Sequence, residues 1–175
     1  MRRWIAPVLM GTLGTFAAYR LALVATPRVL MAAAIKRVGQ AGMNRMTYSP
    51  LATDKARAIV RPSPDLAYSS CPFDLSHGPV RVRVPPAPSP YWSLSVFDAR
   101  TDVAFVRNNA ETGGRGLDVL VAQPKQAVPP GAAVVRVDGA KGIALVRILV
   151  EDRSRFAPID AGRRAATCSP LGGPG

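Results

Sequence analysis

The sequence predicts a mainly β fold, an antiparallel β-sandwich or curved sheet, preceded by an N-terminal transmembrane helix and a short amphipathic helix. Three observations lead to this prediction. An uncharged segment, residues 4–19, follows two arginines at the start of the chain. From about Ala56 onward, short runs rich in apolar residues recur roughly every ten residues. Segments rich in proline and glycine, which interrupt strands, separate these runs.

The first element is the apolar segment, which we predict to be a membrane anchor over residues 1–27. A helix needs about 20 apolar residues to cross a bilayer. The segment reaches this length only if Arg20 lies near one end of the span or extends its guanidinium to the interface. Pro27 is expected to end or kink the helix. Trp4 and Tyr19 lie where aromatic residues at the membrane interface are expected, and Ala25 is the last apolar residue of the span.

Two alternatives to an uncleaved anchor remain open at this point. A cleaved signal peptide has the same basic start and apolar core. No small-residue cleavage site follows the core closely, however, because Ala32-Ala33-Ala34 lies well beyond it. No cysteine lies near the core, which excludes a lipoprotein. A buried globular helix is the second alternative, and the flanking charges argue against it.

The second element covers residues 28–55, which we predict to be an amphipathic helix on the membrane surface and a linker. Val29, Ala32, Ala33 and Lys36 lie at helical spacing, although a simple linker explains them nearly as well. Up to Thr53 the chain has seven basic residues and no acidic one. This pattern favours contact with anionic lipids over nucleic acid, because no aromatic residues are interleaved with the basic ones.

The third element is a β-rich domain over residues 56–168, followed by a tail, residues 169–175, predicted to be disordered. In residues 79–84 valines alternate with arginines, and in residues 91–97 Trp92, Leu94 and Val96 share one face. A β-hairpin is predicted from residues 132–137 and 143–150 with a glycine-containing loop between them. Further apolar runs lie at residues 103–106 and 117–122, and residues 160–167 suggest a closing helical turn.

Cys71 and Cys168 are the only cysteines. In an oxidising compartment they could form a disulfide, whereas in the cytoplasm they would be two unrelated buried thiols. With His77 as the only histidine, the sequence offers no paired spacing for a metal site. We therefore expect neither metal nor cofactor.

Candidate catalytic groups are few. His77 stands before Gly78-Pro79 and is first of all a turn residue. The glycine-rich segment 113–116 lacks the Lys-Ser/Thr of a phosphate-binding loop, and we predict a hairpin loop there.

The acidic residues offer two possible sites. Asp65 is expected to cap a turn, but together with Tyr68 and Ser69 it could instead line a pocket. Asp98 and Asp102 are expected to meet across a turn, where paired carboxylates could do acid–base work. A solvated turn next to Arg100 or Arg107 is the alternative reading of this pair.

Residues 61–71 (RPSPDLAYSSC) and 73–80 (FDLSHGPV), followed by the aromatic strand 91–98 (YWSLSVFD), resemble the family known as domain of unknown function 1254. The resemblance covers roughly residues 56–150 and places Asp74, Asp98 and Asp102 beside Asp65 and Tyr68 as motif positions. It implies a β-rich fold and no established activity. Many relatives carry a second domain, of unknown function 1214, and the chain looks like a short form whose partner domain is a separate protein.

These observations favour a non-catalytic binding or envelope-assembly module in the bacterial inner membrane. The alternative is an envelope hydrolase or lyase with a pocket around Asp65, Tyr68 and Asp98, which must then converge. The orientation is ambiguous. The basic residues after the helix favour a cytoplasmic domain, whereas the cysteine pair favours a periplasmic one, which is our prediction.

Overall fold

The computed structural model describes residues 4–53 and 62–172 of the chain, so the predicted domain start at Ala56 lies outside the described residues. Within those ranges, a long helix, α1 (Ile5–Val38), precedes nine strands and a second helix, α2 (Phe156–Arg164). The strands are β1 (Thr47–Tyr48), β2 (Leu66–Asp74), β3 (Val80–Val84), β4 (Trp92–Phe97), β5 (Val103–Asn108), β6 (Leu117–Ala122), β7 (Val134–Arg136), β8 (Lys141–Leu149) and β9 (Thr167–Pro170).

Helix α1 has 34 residues and is therefore about 51 Å long. Its large apolar side chains between Trp4 and Val24 are exposed on all sides, as expected of a helix that faces lipid. By length and composition it can cross a membrane, although a signal sequence meets the same criteria. The predicted N-terminal apolar helix is thus confirmed.

Helix α1 does not end at Pro27, so of the predicted end or kink at this residue the end is wrong. Pro27 lies inside a continuous helix, and the amphipathic helix predicted after it is the last part of α1. Proline removes only one hydrogen bond, and kinked or continuous helices tolerate it where neighbouring groups compensate. The carbonyl that loses its helical donor is that of Leu23, and the Arg28 guanidinium donates to the next carbonyl, that of Val24, at 2.8 Å.

The β domain consists of two sheets, which confirms the predicted mainly β fold. The five-stranded sheet has the order β1-β2-β8-β4-β5, and the four-stranded sheet has the order β7-β6-β3-β9. All neighbours are antiparallel except β6 and β7. One buried apolar cluster draws residues from both sheets, with Phe73 and Trp92 among its largest members.

The alternating runs form the strands that they predict. In β3 the valines are buried and the arginines are exposed, and Arg81 forms a 2.6 Å ion pair with Asp118 on β6. In β4, Trp92, Leu94 and Val96 are buried in the core, as their spacing requires.

Two predicted hairpins are wrong. Strands β7 and β8 belong to different sheets, and the loop between them, with Gly139 at φ +83°, crosses from one sheet to the other. Residues 113–116 likewise join β5 of one sheet to β6 of the other. In both cases the strands before and after the loop pack apolar residues against the core from different sheets, Val135 and Val146 in the first case and Phe105 and Val119 in the second.

The chain end is ordered further than predicted. Helix α2 starts at Phe156, ahead of the predicted helical turn, and β9 pairs with β3 through Pro170, two residues into the predicted tail. Residues 173–175 lie outside the described residues.

Cys71 on β2 and Cys168 on β9 form a disulfide with a Cα–Cα distance of 6.3 Å. Both residues are buried. The bond joins the five-stranded sheet to the edge strand of the four-stranded sheet across 97 residues of chain. Of the two interpretations of the cysteine pair, the disulfide is confirmed.

We expect the double variant C71A/C168A to lose about 2–5 kcal/mol of unfolding free energy, because the bond constrains a long loop in the unfolded chain. Urea unfolding of the full chain in detergent measures this loss. Reduced wild-type protein is the control and should show a similar decrease. Equal stability of the variant and the oxidised wild type would contradict the prediction.

Candidate functional site

The predicted motif residues lie at opposite ends of the five-stranded sheet. Leu66, next to Asp65, pairs with Leu149 of β8, whereas Phe97, next to Asp98, pairs with Ile143. These positions are six residues apart along β8, which corresponds to about 20 Å. The structure therefore does not bring Asp65 and Asp98 into one pocket, and the convergence that the enzyme hypothesis requires is missing.

Asp98 organises the turn that follows β4. Its buried carboxylate accepts hydrogen bonds from the backbone N–H groups of Arg100 at 2.7 Å and Asp102 at 3.0 Å. These bonds support Thr101 in a left-handed conformation, with φ +68°. Asp98 and Asp102 do meet, but Asp98 holds the backbone of the turn. This favours the turn interpretation over acid–base chemistry.

Arg100 neutralises the acidic groups around this turn. Its guanidinium lies 2.6 Å from the carboxylate of Asp138 and 3.4 Å from that of Asp102. It also approaches Asp98 at 3.7 Å. Three carboxylates thus share one guanidinium, which fits the solvated turn next to Arg100 that the sequence suggested. Within residues 4–53 and 62–172, no group of three His, Cys, Asp or Glu side chains could hold a metal ion.

Asp74 lies at the same end of the sheet and holds the turn after β2. Its carboxylate accepts bonds from the N–H of Ser76 at 2.9 Å and from its hydroxyl at 2.6 Å, and Lys141 lies 3.3 Å away. The Ser76 hydroxyl bond, and to a lesser degree Lys141, holds the pKa of Asp74 below its usual value of 3.8 against the opposing effect of burial. Next to it, His77 is an exposed turn residue, as predicted.

At the end of the five-stranded sheet opposite Asp74, hydrogen bonds between backbone and hydroxyl groups hold the start of β2. The hydroxyl of Tyr68 accepts a bond from the N–H of Ser63 at 3.0 Å, and the Ser63 hydroxyl accepts one from the N–H of Asp65 at 3.4 Å. Asp65 itself is exposed. Ser63 rather than Asp65 therefore supplies the side-chain bond of this turn. Ser69 is fully buried on the face of β2 that turns to the core, so it does not share the exposed surface of Asp65.

Sequence reasoning missed Arg163, which is buried in α2 with 2% of its surface exposed. Its guanidinium donates to the carbonyls of Ser49 at 2.6 Å and Tyr68 at 2.7 Å and forms an ion pair with Asp160. It therefore attaches α2 to the edge of the five-stranded sheet. Burial tends to raise the pKa of Asp160, but the bonds from Arg164 and Arg163 lower it overall.

Tyr48 completes this attachment. Its hydroxyl donates to the carbonyl of Ala166 at 2.7 Å, and its ring lies under the guanidinium groups of Arg164 and Arg163 at 5.3 Å and 5.9 Å. Burial raises the pKa of Tyr48, although the two arginines oppose this effect. An arginine in a short helix carries no local sequence signal for such a role, because its partners are distant in the chain.

The C-terminal part of α1 packs on the outer face of the five-stranded sheet, by which we mean the face turned away from the core. It contacts β2 and β8, and a Cβ atom at Gly39 would lie 3.7 Å from the ring of Pro72. Met31 of α1 is buried but belongs to no part of the core between the sheets. The helix is therefore attached to the domain by packing.

A row of polar side chains lies on the same outer face. Arg147 of β8 is directly opposite Tyr68 of β2 on one side and Ser93 of β4 on the other, and Asn108 of β5 follows Ser93. Ser93 is fully buried, and its hydroxyl has no hydrogen-bond partner among the described residues. Sequence reasoning named only Tyr68 of this row.

Comparisons with known proteins support the fold. The family described as "Protein of unknown function (DUF1254)" matches residues 43–170. The crystal structure of the VPA0106 protein from Vibrio parahaemolyticus is similar at a TM-score of 0.60 and 17% identity, over 85% of this chain and 38% of that one. The crystal structure of an uncharacterized protein from Burkholderia cenocepacia is similar at a TM-score of 0.50 and 13% identity. The similarity covers 90% of this chain and 44% of that one.

This chain thus spans less than half the length of both solved structures. None of the curated proteins matches it.

We expect Ser76→Ala to cost about 1 kcal/mol of stability near neutral pH, because it removes a hydroxyl bond to the ionised Asp74. A carboxyl whose pKa is lowered on folding stabilises the fold above its unfolded pKa, and this contribution is lost as pH falls through the folded pKa. The difference between variant and wild type should therefore shrink below pH 3.8, the usual value for this group. Urea unfolding at several pH values measures it.

The control for this prediction is Ser76→Thr, which keeps the hydroxyl and should retain the pH dependence of the wild type. A difference between Ser76→Ala and wild type that stays constant down to pH 2–3, well under the usual range for Asp, would contradict the role of the Asp74 bond.

Proposed function

The chain belongs to the DUF1254 family, and we propose that it is a membrane-anchored binding or envelope-assembly module whose β-sandwich lies on the periplasmic side of a bacterial inner membrane. The observation that carries this proposal is the combination of α1, which can cross a bilayer, with the Cys71–Cys168 disulfide. Disulfides persist in oxidising compartments and are rare in the cytoplasm.

The length of α1 suggests where the bilayer lies. About 20 residues cross the hydrocarbon core, which corresponds to residues 5–24. The remaining 14 residues of the helix, about 21 Å, would then lead from the bilayer to the domain. Arg28 would lie in the headgroup region, and Arg20 would extend its side chain toward it.

By charge alone, the domain would lie on the cytoplasmic side. Arg28, Lys36 and Arg37 follow the span, and the positive-inside rule would keep them in the cytoplasm. The disulfide argues for the opposite side, and we give it more weight because the two sulfur atoms are bonded in the fold itself.

A binding role is supported by the state of the acidic motif residues. Asp74 and Asp98 are occupied by the turns that they hold, and Asp65 lies at the other end of the sheet. An enzyme of the hydrolase or lyase type needs a nucleophile, a base and a stabilising group in one place, and these residues supply no such arrangement.

The edge strand β5 is the surface that we propose for a protein partner. Among the described residues it is paired on one side only, by β4, and its outward residues Val103 and Val106 are 58% and 45% exposed. An exposed apolar edge strand can accept a further strand from another protein. A separate protein with a 1214-type domain, as the family resemblance suggests, is the partner we propose.

The compartment is tested by labelling denatured protein from cells with a maleimide-polyethylene glycol reagent. We expect no label without reductant and two labels after reduction, because Cys71 and Cys168 are bonded. The variant C71A/C168A is the control and should stay unlabelled in both cases. Two labels without reductant would contradict both the disulfide in cells and the periplasmic placement.

The position of the bilayer is tested with two leucines that are similarly exposed on α1, Leu13 and Leu30. A lysine at the helix centre disfavours insertion by about 2.5–3.5 kcal/mol. We expect Leu13→Lys to move much of the protein into the alkaline-carbonate-soluble fraction. Leu30→Lys, which lies beyond the proposed span, should remain in the membrane pellet. Equal behaviour of the two variants would overturn this placement.

A further inference from the structure

We propose that the outer face of the five-stranded sheet carries a binding site for one phosphate group, centred on Arg147. The proposal rests on the binding role proposed above and gives that role a ligand class. It is independent of how α1 is oriented in the membrane.

Arg147 has too few partners for a half-buried guanidinium. It is half-buried, yet no carboxylate of the described residues lies within ion-pair distance of it. Its Nε atom is buried without a partner, and Nη2 makes one long bond, 3.4 Å, to the hydroxyl of Ser95. Removing a guanidinium from water is costly unless a counter-charge and hydrogen bonds compensate.

Arg163 shows what this fold does with a desolvated arginine when the partner is internal. Its guanidinium bonds to Asp160 and to two carbonyl oxygens. Arg147 on β8 has, among the described residues, no acidic partner and one long hydrogen bond, to Ser95. The contrast indicates that the partner of Arg147 is an anion from outside the described chain.

The neighbours of Arg147 carry hydroxyl groups, one of them without a hydrogen-bond partner among the described residues. Ser93, directly opposite on β4, is fully buried, and its hydroxyl has no bond within the described residues. Ser95 and Tyr68 add further hydroxyl groups on either side. A buried unsatisfied hydroxyl costs about 1–3 kcal/mol, so two adjacent unsatisfied groups mark a place where a ligand would recover free energy.

The set of donors favours phosphate over carboxylate. A guanidinium can bind both oxygens of a carboxylate by itself, in a bidentate arrangement. Phosphate has additional oxygens, which the hydroxyl groups of Ser93 and Ser95 could meet, once the side chains that bury them move aside, while Arg147 holds the other two. No acidic side chain belongs to the row formed by Tyr68, Arg147, Ser93 and Asn108, so nothing in it repels an anion.

The phosphate could come from two sources. Helix α1 packs on the same outer face, against Pro72, and in the proposed function it also enters the bilayer. A lipid headgroup is therefore one source, and a soluble phosphate compound is the other. Both present the same group to Arg147.

The test measures the unfolding temperature of the full chain in maltoside micelles, which contain no phosphate. Inorganic phosphate is compared with chloride and acetate at equal ionic strength. We expect a saturable rise with phosphate alone, because a ligand of the native state raises its stability. Arg147→Gln should weaken this binding roughly tenfold or more, because charge-assisted bonds are lost. Arg83→Gln, an exposed arginine on the other sheet, is the matched control and should bind as wild type does.

A second variant separates binding from folding. Ser93→Ala removes an unsatisfied hydroxyl, so without phosphate it should be at least as stable as wild type. With phosphate it should show a smaller rise than wild type. A rise that is unchanged in both Arg147→Gln and Ser93→Ala, an equal rise with acetate, or no rise with any phosphate probe would each overturn the proposal.

A further series with dioctanoylphosphatidic acid in the same micelles identifies the source. A rise at much lower concentration than inorganic phosphate assigns a lipid headgroup, and an equal or weaker response assigns a soluble phosphate compound. Membrane extraction of Arg147→Gln should match wild type. If the chain does not bind phosphate, the proposal that α1 anchors it in the membrane is unaffected. If anchoring fails, the phosphate measurement in micelles still decides the proposed phosphate site.

Discussion

The pairing of β2 with β8 is the constraint on which the rest of this structure depends. It runs without interruption over nine residue pairs, from Leu66–Leu149 to Asp74–Lys141. Strand β1 pairs with β2 on one side of this ladder, and β4 pairs with β8 on the other. Cys71 of β2 forms the disulfide with the other sheet, and α1 packs on the outer face of both strands. Because side chains alternate along a strand, this single register determines which residues of β2 and β8 enter the core and which form the outer row.

The sequence predicted two kinds of element. These are strands whose alternating residues show which face is buried, and a helix whose apolar composition is enough to identify it. The alternation in β3 and β4 predicted two strands and their buried faces, and the apolar run predicted α1. The arrangement of the strands was not predictable in this way. Strands β7 and β8 carry a hairpin signal but separate into two sheets, because each buries its apolar face against the other sheet.

The residues of the candidate site fall into the same two groups, those that the sequence predicts and those that it does not. Asp74 and Asp98 stand out in the sequence because turns need them, and the structure shows them bonded to the backbone of those turns. Arg147 and Arg163 have no sequence signal, since their partners come from other strands and from segments far away in the chain. A polar motif in a β-rich domain therefore identifies its turns more readily than its ligands.

The continuity of α1 through Pro27 has a mechanical consequence. A domain on a flexible linker sweeps out a hemisphere above its attachment point and meets partners at many angles. Here α1 runs from Ile5 to Val38 without a loop, and Gly39, the residue directly after it, lies against Pro72 of the sheet. In a bilayer, tilt or rotation of the helix would carry the sandwich with it as one lever, so its height above the lipid and the direction of its β5 edge would be coupled to the membrane itself.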